Sequence, residues 1–167
     1  MSRLDSFLRR LTAQHVCLGA CVRLVETVPG PVWELGLGSG RSYDHLCHLF
    51  PARDIQVFEH RVSEDAAGMV PPDQMIIGDM RETLANAAGR PGLAGAGPAV
   101  VHADIGSGND IVDAELANFL GGMLPAVMAP GGVVAADRPL PGKLNPLPLP
   151  GGIAAGRYFL LSNPGLH

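Results

Sequence analysis

Short apolar segments alternate with segments of helical spacing along most of the chain, and this pattern predicts the fold. Each apolar segment is brief and stops at a glycine or an acidic residue. Such segments are typical of strands in a parallel sheet that helices cover on both faces. The predicted strands lie at 32–35, 55–58, 75–77, 99–103 and 133–136. The alternation therefore predicts an α/β fold with a doubly wound, mostly parallel sheet.

The predicted helices lie before and between these strands. Residues 4–28 carry apolar side chains at helical spacing, and the pattern ends at Pro29-Gly30-Pro31. Further helices are predicted at 42–50, 81–88 and 112–128, with a glycine-rich loop at 89–98. Residues 71–74 leave room only for a short or irregular crossover before the third strand.

The alternation stops after Asp137. Residues 139–152 carry five prolines and predict an extended loop, and residues 157–161 predict one last strand at or near a sheet edge. The sheet is therefore expected to be shortened at its C-terminal end. One domain, 1–167, accounts for the chain, with an N-terminal helix in 1–30, a core in 32–138 and a proline-rich tail in 139–167.

Composition excludes several classes of protein. Hydrophobic residues make up 47% of the chain and charged residues 17%, which argues against disorder. The net charge of −4 brings no basic excess, so nucleic acid is not an expected partner. Three cysteines cannot form a complete disulfide framework, which favours a reducing, cytoplasmic setting.

Two segments imitate membrane signals. Leu18-Gly19-Ala20-Cys21 resembles a lipoprotein cleavage box, but Gln14 and His15 interrupt the apolar run before it. Residues 116–136 are uncharged and nearly long enough to cross a bilayer. Glycines and prolines divide that segment into a helix, a turn and a strand. No membrane partner is therefore expected.

Acidic residues close four of the apolar segments: Glu59, Asp79, Asp104 and Asp137. The carboxyl ends of parallel strands meet at one edge of the sheet, where ligands of such folds bind. The four residues predict a polar rim along that edge. Acidic residues also cap helices at such positions, so each of them has this simpler alternative.

A glycine loop follows the first predicted strand and opens a helix. Its sequence is Gly36-Leu37-Gly38-Ser39-Gly40, and glycines let a ligand approach the backbone closely. The dinucleotide fingerprint needs a further glycine at position 41, where Arg41 stands, which disfavours a nicotinamide oxidoreductase. A P-loop is excluded because no Gly-Lys-Ser/Thr follows.

This set of motifs resembles the class I S-adenosylmethionine-dependent methyltransferases, which have a Rossmann-like fold. The resemblance covers residues 32–137 and includes the loop Glu34–Gly40, Glu59, Gly78-Asp79-Met80 and the turn 129–132 before the fifth strand. It implies that S-adenosyl-L-methionine is the cofactor and that residues 32–138 bind it. It also implies roles for individual residues.

The resemblance places Gly36, Gly38, Ser39 and Gly40 along the methionine part of the cofactor, with Glu34 beneath its amino group. Glu59 would accept hydrogen bonds from both ribose hydroxyls, a task that suits a carboxylate. Asp79 would accept from the adenine amino group beside the Met80 backbone. Asp104 would lie near the transferred methyl.

Methyl transfer needs alignment and exclusion of water, and a general base only if the acceptor must lose a proton. Asp104 and His102 are the candidates for that base. The simpler interpretation of His102 is a strand histidine whose hydrogen bonds are satisfied inside the sheet.

Metal sites are not expected. Asp104 and Asp137 match the metal-binding positions of catechol-type O-methyltransferases, but Arg138 replaces an asparagine there and would repel a cation. A zinc site at Cys17, Cys21, His45, Cys47 and His48 is conceivable, but no CxxC pair supports it. Small buried cysteines are common in protein cores.

The sequence favours an enzyme that methylates a small molecule. The Asn/Asp-Pro-Pro-Tyr motif of enzymes that methylate nucleic-acid amino groups is absent after the fourth strand, where Asp104-Ile105-Gly106-Ser107 stands. The acceptor pocket would come from the N-terminal helix, the 105–111 loop, the 139–152 segment or a partner subunit, and a homodimer would suit the apolar first helix. A non-catalytic S-adenosylmethionine-binding module on the same fold remains the alternative.

Overall fold

The computed structural model describes residues 2–88 and 97–164, which form four helices and one seven-stranded sheet. The helices are α1 (Arg3–Leu24), α2 (Arg41–Leu49), α3 (Met80–Ala88) and α4 (Asp110–Val127). The strands are β1 (Val32–Leu35), β2 (Ile55–Glu59), β3 (Met75–Ile77), β4 (Val100–Ala103), β5 (Val133–Ala136), β6 (Asn145–Pro146) and β7 (Phe159–Ser162). Most of the predicted glycine-rich loop at 89–98 lies outside the described residues.

The strand order is β3-β2-β1-β4-β5-β7-β6. Strands β1 to β5 are parallel, while β7 pairs antiparallel with both β5 and β6. The predicted doubly wound, mostly parallel sheet is confirmed. The chain reverses its direction of winding between β1 and β4, and ligands of such sheets bind at this switch point, outside the carboxyl ends of the strands.

Helices cover both faces of the sheet, as predicted. Along each strand successive side chains point to opposite faces, so Val32 and Val100 join one core and Trp33 and Val101 the other. The first core lies under α1 and α2, and the second under α3 and α4. Both faces of the central strands are buried, which explains why their sequences are almost continuously apolar.

Several elements differ from the prediction, most of them by one or two residues at an end. Helix α1 ends at Leu24 instead of residue 28, and the residues after it form a turn in which the Val28 amide donates to the Val25 carbonyl at 3.1 Å. The Arg53 guanidinium donates to the Val25 and Gly30 carbonyls at 2.8 and 2.7 Å. The last strand is displaced to Phe159–Ser162. The tail predicted to be a loop contains the two-residue strand β6, which runs in the direction of β5 and forms the shortened edge of the sheet.

Two uncertain segments are resolved by the structure. Residues 60–74 connect β2 to β3 with one turn of 3-10 helix, Glu64–Ala66, which matches the predicted irregular crossover. The uncharged segment 116–136 divides into the end of α4, a turn and β5, as predicted. Among the described residues, no helix is both long enough and apolar enough to cross a membrane.

Helix α4 lies against the start of the C-terminal tail through two glycines. A Cβ on Gly121 would overlap the Pro141 carbonyl, and a Cβ on Gly142 would overlap the backbone of Gly121. The neighbouring Gly122 is exposed and has no atom within 4 Å of its Cβ position. The tail can therefore approach the helix only because position 121 lacks a side chain.

We expect Gly121→Ala to lower the free energy of unfolding by about 1–3 kcal/mol, because overpacking forces the backbones apart. Gly122→Ala is the matched control and should raise it by up to about 1 kcal/mol, since alanine is the better helix former. Urea unfolding of both variants measures the difference. Equal effects of the two substitutions would contradict the close contact.

Candidate active site

The glycine loop joins β1 to α2 at the switch point of the sheet. Gly36 has φ +91°, and a Cβ there would lie 2.7 Å from the Asp104 carbonyl oxygen at the end of β4. Gly40 has φ +78° and is the N-cap of α2. The loop can therefore follow this path only with glycine at these positions.

A cleft of about 530 Å³ opens in front of this loop. Its walls come from the glycine loop, the ends of β2, β3 and β4, and the first turns of α3 and α4. It is lined by Gly36, Gly38, Glu59, His60, Asp79, Met80, Arg81, Asp104, Ile105, Gly106, Ser107, Val112, Glu115 and Leu116. Six of the residues predicted to bind the cofactor are therefore brought together here.

Four other predicted residues lie outside this cleft. Ser39 lines an adjacent cavity of about 160 Å³ between α1 and the loop. Gly40, Glu34 and His102 line neither cavity. Glu34 and His102 are fully buried beneath the loop, where neither side chain can touch a molecule in the cleft.

Glu59 connects the end of β2 to the glycine loop. Its Oε2 accepts hydrogen bonds from the backbone amides of Leu37 and Gly38 at 2.6 and 3.4 Å. Its Oε1 accepts from the Arg61 amide at 3.1 Å. The carboxylate thus fixes the loop and still borders the cleft.

Asp79 begins helix α3. Its Oδ1 accepts from the backbone amides of Arg81 and Glu82 at 2.9 and 3.3 Å, and its Oδ2 takes part in neither bond. This is the helix-capping arrangement that the sequence left open as an alternative. Asp79 also lines the cleft, so capping does not remove it from the site.

A chain of buried polar side chains lies beneath the loop. Glu34 Oε1 accepts from the Ser42 hydroxyl at 2.5 Å, and Glu34 Oε2 lies 2.5 Å from Nδ1 of His102. His102 Nε2 lies 2.5 Å from the Tyr158 hydroxyl. Three of these side chains, Glu34, His102 and Tyr158, are fully buried.

The surroundings of His102 favour the charged form of its imidazole. Burial by itself would lower the pKa of His102, but the Glu34 carboxylate, with Asp104 and Asp137 farther away, raises it above the ordinary 6.5. Burial and the same three carboxylates raise the pKa of Tyr158 well above 10, so the phenol stays neutral. When His102 is protonated, it forms a buried ion pair with Glu34.

Helix α1 closes one side of Asp104. Arg10 Nη1 donates to Asp104 at 3.0 and 3.2 Å, and Gln14 Nε2 donates to Asp104 Oδ2 at 3.1 Å. The side chains of Arg10 and Asp104 are 41% and 25% exposed, so water reaches the pair. The N-terminal helix is one of the predicted sources of the acceptor pocket, but no local signal in its sequence identifies Arg10 or Gln14.

Arg138 occupies the space between two other carboxylates. Its guanidinium lies 2.9 Å from Asp137 and 3.1 Å from Asp113 at the start of α4. Burial would raise the pKa of Asp113, but bonds from Ser107 and the charge of Arg138 lower it. A cation of the chain therefore stands beside Asp137, at the position where catechol-type enzymes keep an asparagine.

The cysteines of the conceivable zinc site lie in different surroundings. Burial raises the pKa of Cys17 to about 11 and that of Cys21 to about 12, so both thiols stay protonated. Cys47 is exposed. Within residues 2–88 and 97–164, no group of three His, Cys, Asp or Glu residues is arranged to hold a metal ion.

The two flanking segments contribute unequally to the site. Residues 105–107 of the loop after β4 line the cleft, as expected for part of the predicted 105–111 loop. The proline-rich tail instead packs Leu147 and Leu149 against the core beneath α1 and α2. Neither of the two cavities beside the glycine loop is lined by residues 139–152.

The strand order and the glycine-loop cleft together define a class I S-adenosylmethionine-dependent methyltransferase. The sequence profile of the S-adenosyl-L-methionine methyltransferase family matches residues 1–163, and the chain belongs to this family. A solved structure of an S-adenosyl-L-methionine methyl transferase from Silicibacter pomeroyi DSS-3 is 36% identical, with a TM-score of 0.88 over 98% of this chain and 99% of that one. The protein is thus an enzyme whose methyl donor is S-adenosyl-L-methionine.

More distant structures share the fold. Human methyltransferase-like protein 13 in complex with SAH is 17% identical, with a TM-score of 0.52 over 93% of this chain and 82% of that one. An O-methyltransferase family protein from Burkholderia thailandensis is 13% identical, with a TM-score of 0.55 over 89% of this chain and 55% of that one. No match was found among curated proteins.

We expect His102 to titrate above pH 6.5, because the Glu34 carboxylate favours the charged form of its imidazole. We expect His45 to titrate below pH 6.5, because burial and the neighbouring His15 and His48 disfavour its charged form. Side-chain NMR across a pH series measures both. A raised pKa in the folded state means that the His102 contribution to stability is complete below pH 6.5 and is lost as pH rises through the folded value. Titration of His102 below pH 6.5 would contradict the buried ion pair.

Proposed function

We propose that S-adenosyl-L-methionine lies in the 530 Å³ cleft and that the methyl is passed to a small molecule beside Asp104. The proposal rests on one observation: the same cleft, at the switch point of the sheet, is lined by Gly36, Glu59, Asp79 and Asp104. The cleft is within the range of volumes of small-molecule sites, roughly 300–1,000 Å³. When bound, the cofactor supplies a methyl group on an electrophilic sulfonium.

The ribose would be held by Glu59. Each carboxylate oxygen has two lone pairs, so Glu59 can accept from ribose hydroxyls while it keeps the amides of Leu37 and Arg61. The backbone bonds also hold the carboxylate in place before the cofactor arrives. Such preorganisation reduces the entropy that binding must overcome.

The adenine would lie between the ends of β3 and β4. Asp79 keeps Oδ2 outside its capping bonds, and this oxygen can accept from the adenine amino group. Met80, Ile105 and Leu116 supply apolar surface on the walls of the cleft. A flat aromatic base is the part of the cofactor that this surface suits best.

The methionine part would follow the glycine loop. A Cβ on Gly38 would meet no atom within 4 Å, and Gly38 lines the cleft, so the loop leaves this space to a ligand. Glu34 cannot contact the amino group directly, because it is fully buried and bonded to Ser42 and His102. We assign it the role of supporting the loop from beneath.

Asp104 is the residue best placed to act on the acceptor. It borders both the cofactor cleft and the cavity against α1, so an acceptor beside it would face the cofactor. Its carboxylate can orient an acceptor hydroxyl or amine and take its proton. His102 lies behind the sheet end, fully buried, and acts on the site through Glu34 as a positioning residue.

A small acceptor suits the dimensions of the site. The cavity between α1 and the glycine loop measures about 160 Å³, and Arg10 and Gln14 narrow its approach to Asp104. A macromolecular acceptor would need a protruding side group to enter it. The homodimer stays a prediction, with Leu4 and Leu8 as exposed apolar residues on α1 that a second copy could cover.

We expect Glu59→Ala to weaken S-adenosyl-L-methionine binding about a hundredfold, because two bonds to a charged group, each about 1.5 kcal/mol, are lost. Glu64→Ala in the exposed 3-10 turn is the matched control. Titration calorimetry measures both dissociation constants. Unchanged affinity of Glu59→Ala would place the ribose elsewhere.

We expect Asp104→Asn to lower kcat about a hundredfold on any acceptor that must lose a proton, since the amide cannot act as a base. The affinity for S-adenosyl-L-methionine should change little. S-adenosylhomocysteine production across a panel of small phenols, amines and carboxylates identifies the acceptor and measures kcat, with the exposed Asp73→Asn as control. Equal kcat for Asp104→Asn and the unsubstituted enzyme would remove Asp104 from the chemistry.

A further inference from the structure

A third cavity, of about 430 Å³, lies beside Arg10. Its walls are the first two turns of α1, the residue after β5 and the segment before β7. Arg10 lines it and also lines the small cavity that contains Asp104. The Arg10–Asp104 ion pair therefore separates this cavity from the site of methyl transfer.

Three arginines line this cavity: Arg3, Arg10 and Arg157. Arg10 is neutralised by Asp104. In the described part of the chain, Arg3 and Arg157 have no carboxylate within 4.0 Å, and Arg157 lies 3.5 Å from the Ser6 hydroxyl.

The other charged residue on the wall does not cancel this positive potential. Asp137 lines the cavity, but its carboxylate is held by Arg138 at 2.9 Å. The two carboxylates nearest the arginines of the cavity, Asp104 and Asp137, thus each have a guanidinium partner. Arg3 and Arg157 are left to attract an anion.

The cavity also has an apolar wall. Phe7 lines it one turn of α1 after Arg3, and its side chain is 44% exposed. Guanidinium groups bind carboxylates and phosphates through paired N–H donors, and an aromatic face packs against the body of a small molecule. The wall therefore combines an oxyanion site with an apolar surface.

We infer that the methyl acceptor is a small molecule that carries a carboxylate or phosphate group, which Arg3, Arg157 and Arg10 bind in this cavity. The inference rests on the proposed placement of methyl transfer beside Asp104. The apolar body of the acceptor lies against Phe7, and its nucleophilic atom reaches past Arg10 toward Asp104. The anion also competes with Asp104 for Arg10, which leaves the Asp104 carboxylate available to the acceptor.

Ligand binding tests this with small aromatic probes, two of them anionic and one neutral. Benzoate and phenyl phosphate are titrated against the full chain saturated with S-adenosylhomocysteine, with neutral benzamide as the comparison, and the Arg side-chain NMR signals report binding. We expect both anions to bind at least about tenfold more tightly than benzamide, the value of one charged hydrogen bond. The stronger of the two anions identifies the oxyanion of the acceptor. Equal binding of all three probes, or none, overturns the inference.

Paired variants locate the anion. The double variant Arg3→Gln and Arg157→Gln should lose at least tenfold in benzoate affinity, whereas Arg9→Gln, an exposed arginine of α1 outside the cavity, should lose none. Affinity for S-adenosylhomocysteine should be the same in all. Undiminished benzoate binding by the double variant overturns the assignment of the cavity.

Two further readouts separate this inference from the proposed function. If the unsubstituted chain does not bind S-adenosylhomocysteine, the cofactor site is contradicted. The benzoate comparison can then still be made on the chain without S-adenosylhomocysteine. In turnover assays each carboxylic acid of the acceptor panel is paired with its primary amide. We expect the double variant to raise KM for the acid about tenfold and to leave the amide unchanged. If the amides are methylated as efficiently as their acids, an anionic acceptor is contradicted. The same result would not contradict the cofactor site.

Discussion

The carboxylate of Glu34 lies wholly inside the protein, and the position of the active site depends on how its charge is compensated. A buried carboxylate without partners costs several kcal/mol. Ser42 from α2 and His102 from β4 supply the compensation, and Tyr158 completes the polar chain. Because Glu34 comes two residues before Gly36, the same bonds fix the point at which β1 ends and the glycine loop begins.

The same pairing principle extends to the rim of the cleft. Asp104 is matched by Arg10, and Asp137 and Asp113 share Arg138. Asp104 thus pairs with a residue of α1, and Arg138, which directly follows Asp137, also pairs with Asp113 of α4. This pairing keeps repulsion low where carboxylates are crowded at one edge of a sheet. These partners also tie α1 and α4 to the site, so the helices that border the cleft are positioned by its charges.

Local patterns predicted the frame of the molecule well. The parallel strands are short and almost continuously apolar. The glycines of the loop are closely spaced, as expected where the loop backbone approaches another strand end. Such local patterns could not predict contacts between residues that lie far apart in the sequence. Arg10 and Asp104 are 94 positions apart in the chain, and nothing in the sequence of α1 distinguishes Arg10 from Arg9. Likewise, strand β6 exists because β7 pairs with it, although its Asn-Pro sequence is unsuited to a strand interior.

The central claim is that one cleft, set by the glycine loop and the acidic strand ends, holds the methyl donor. A crystal structure of the chain with S-adenosylhomocysteine tests it most directly. The account predicts ribose hydroxyls on Glu59, adenine between Asp79 and Ile105, and the sulfur atom facing Asp104. An ordered nucleoside bound away from Glu59 and Asp79, with the cleft left to solvent, would contradict it.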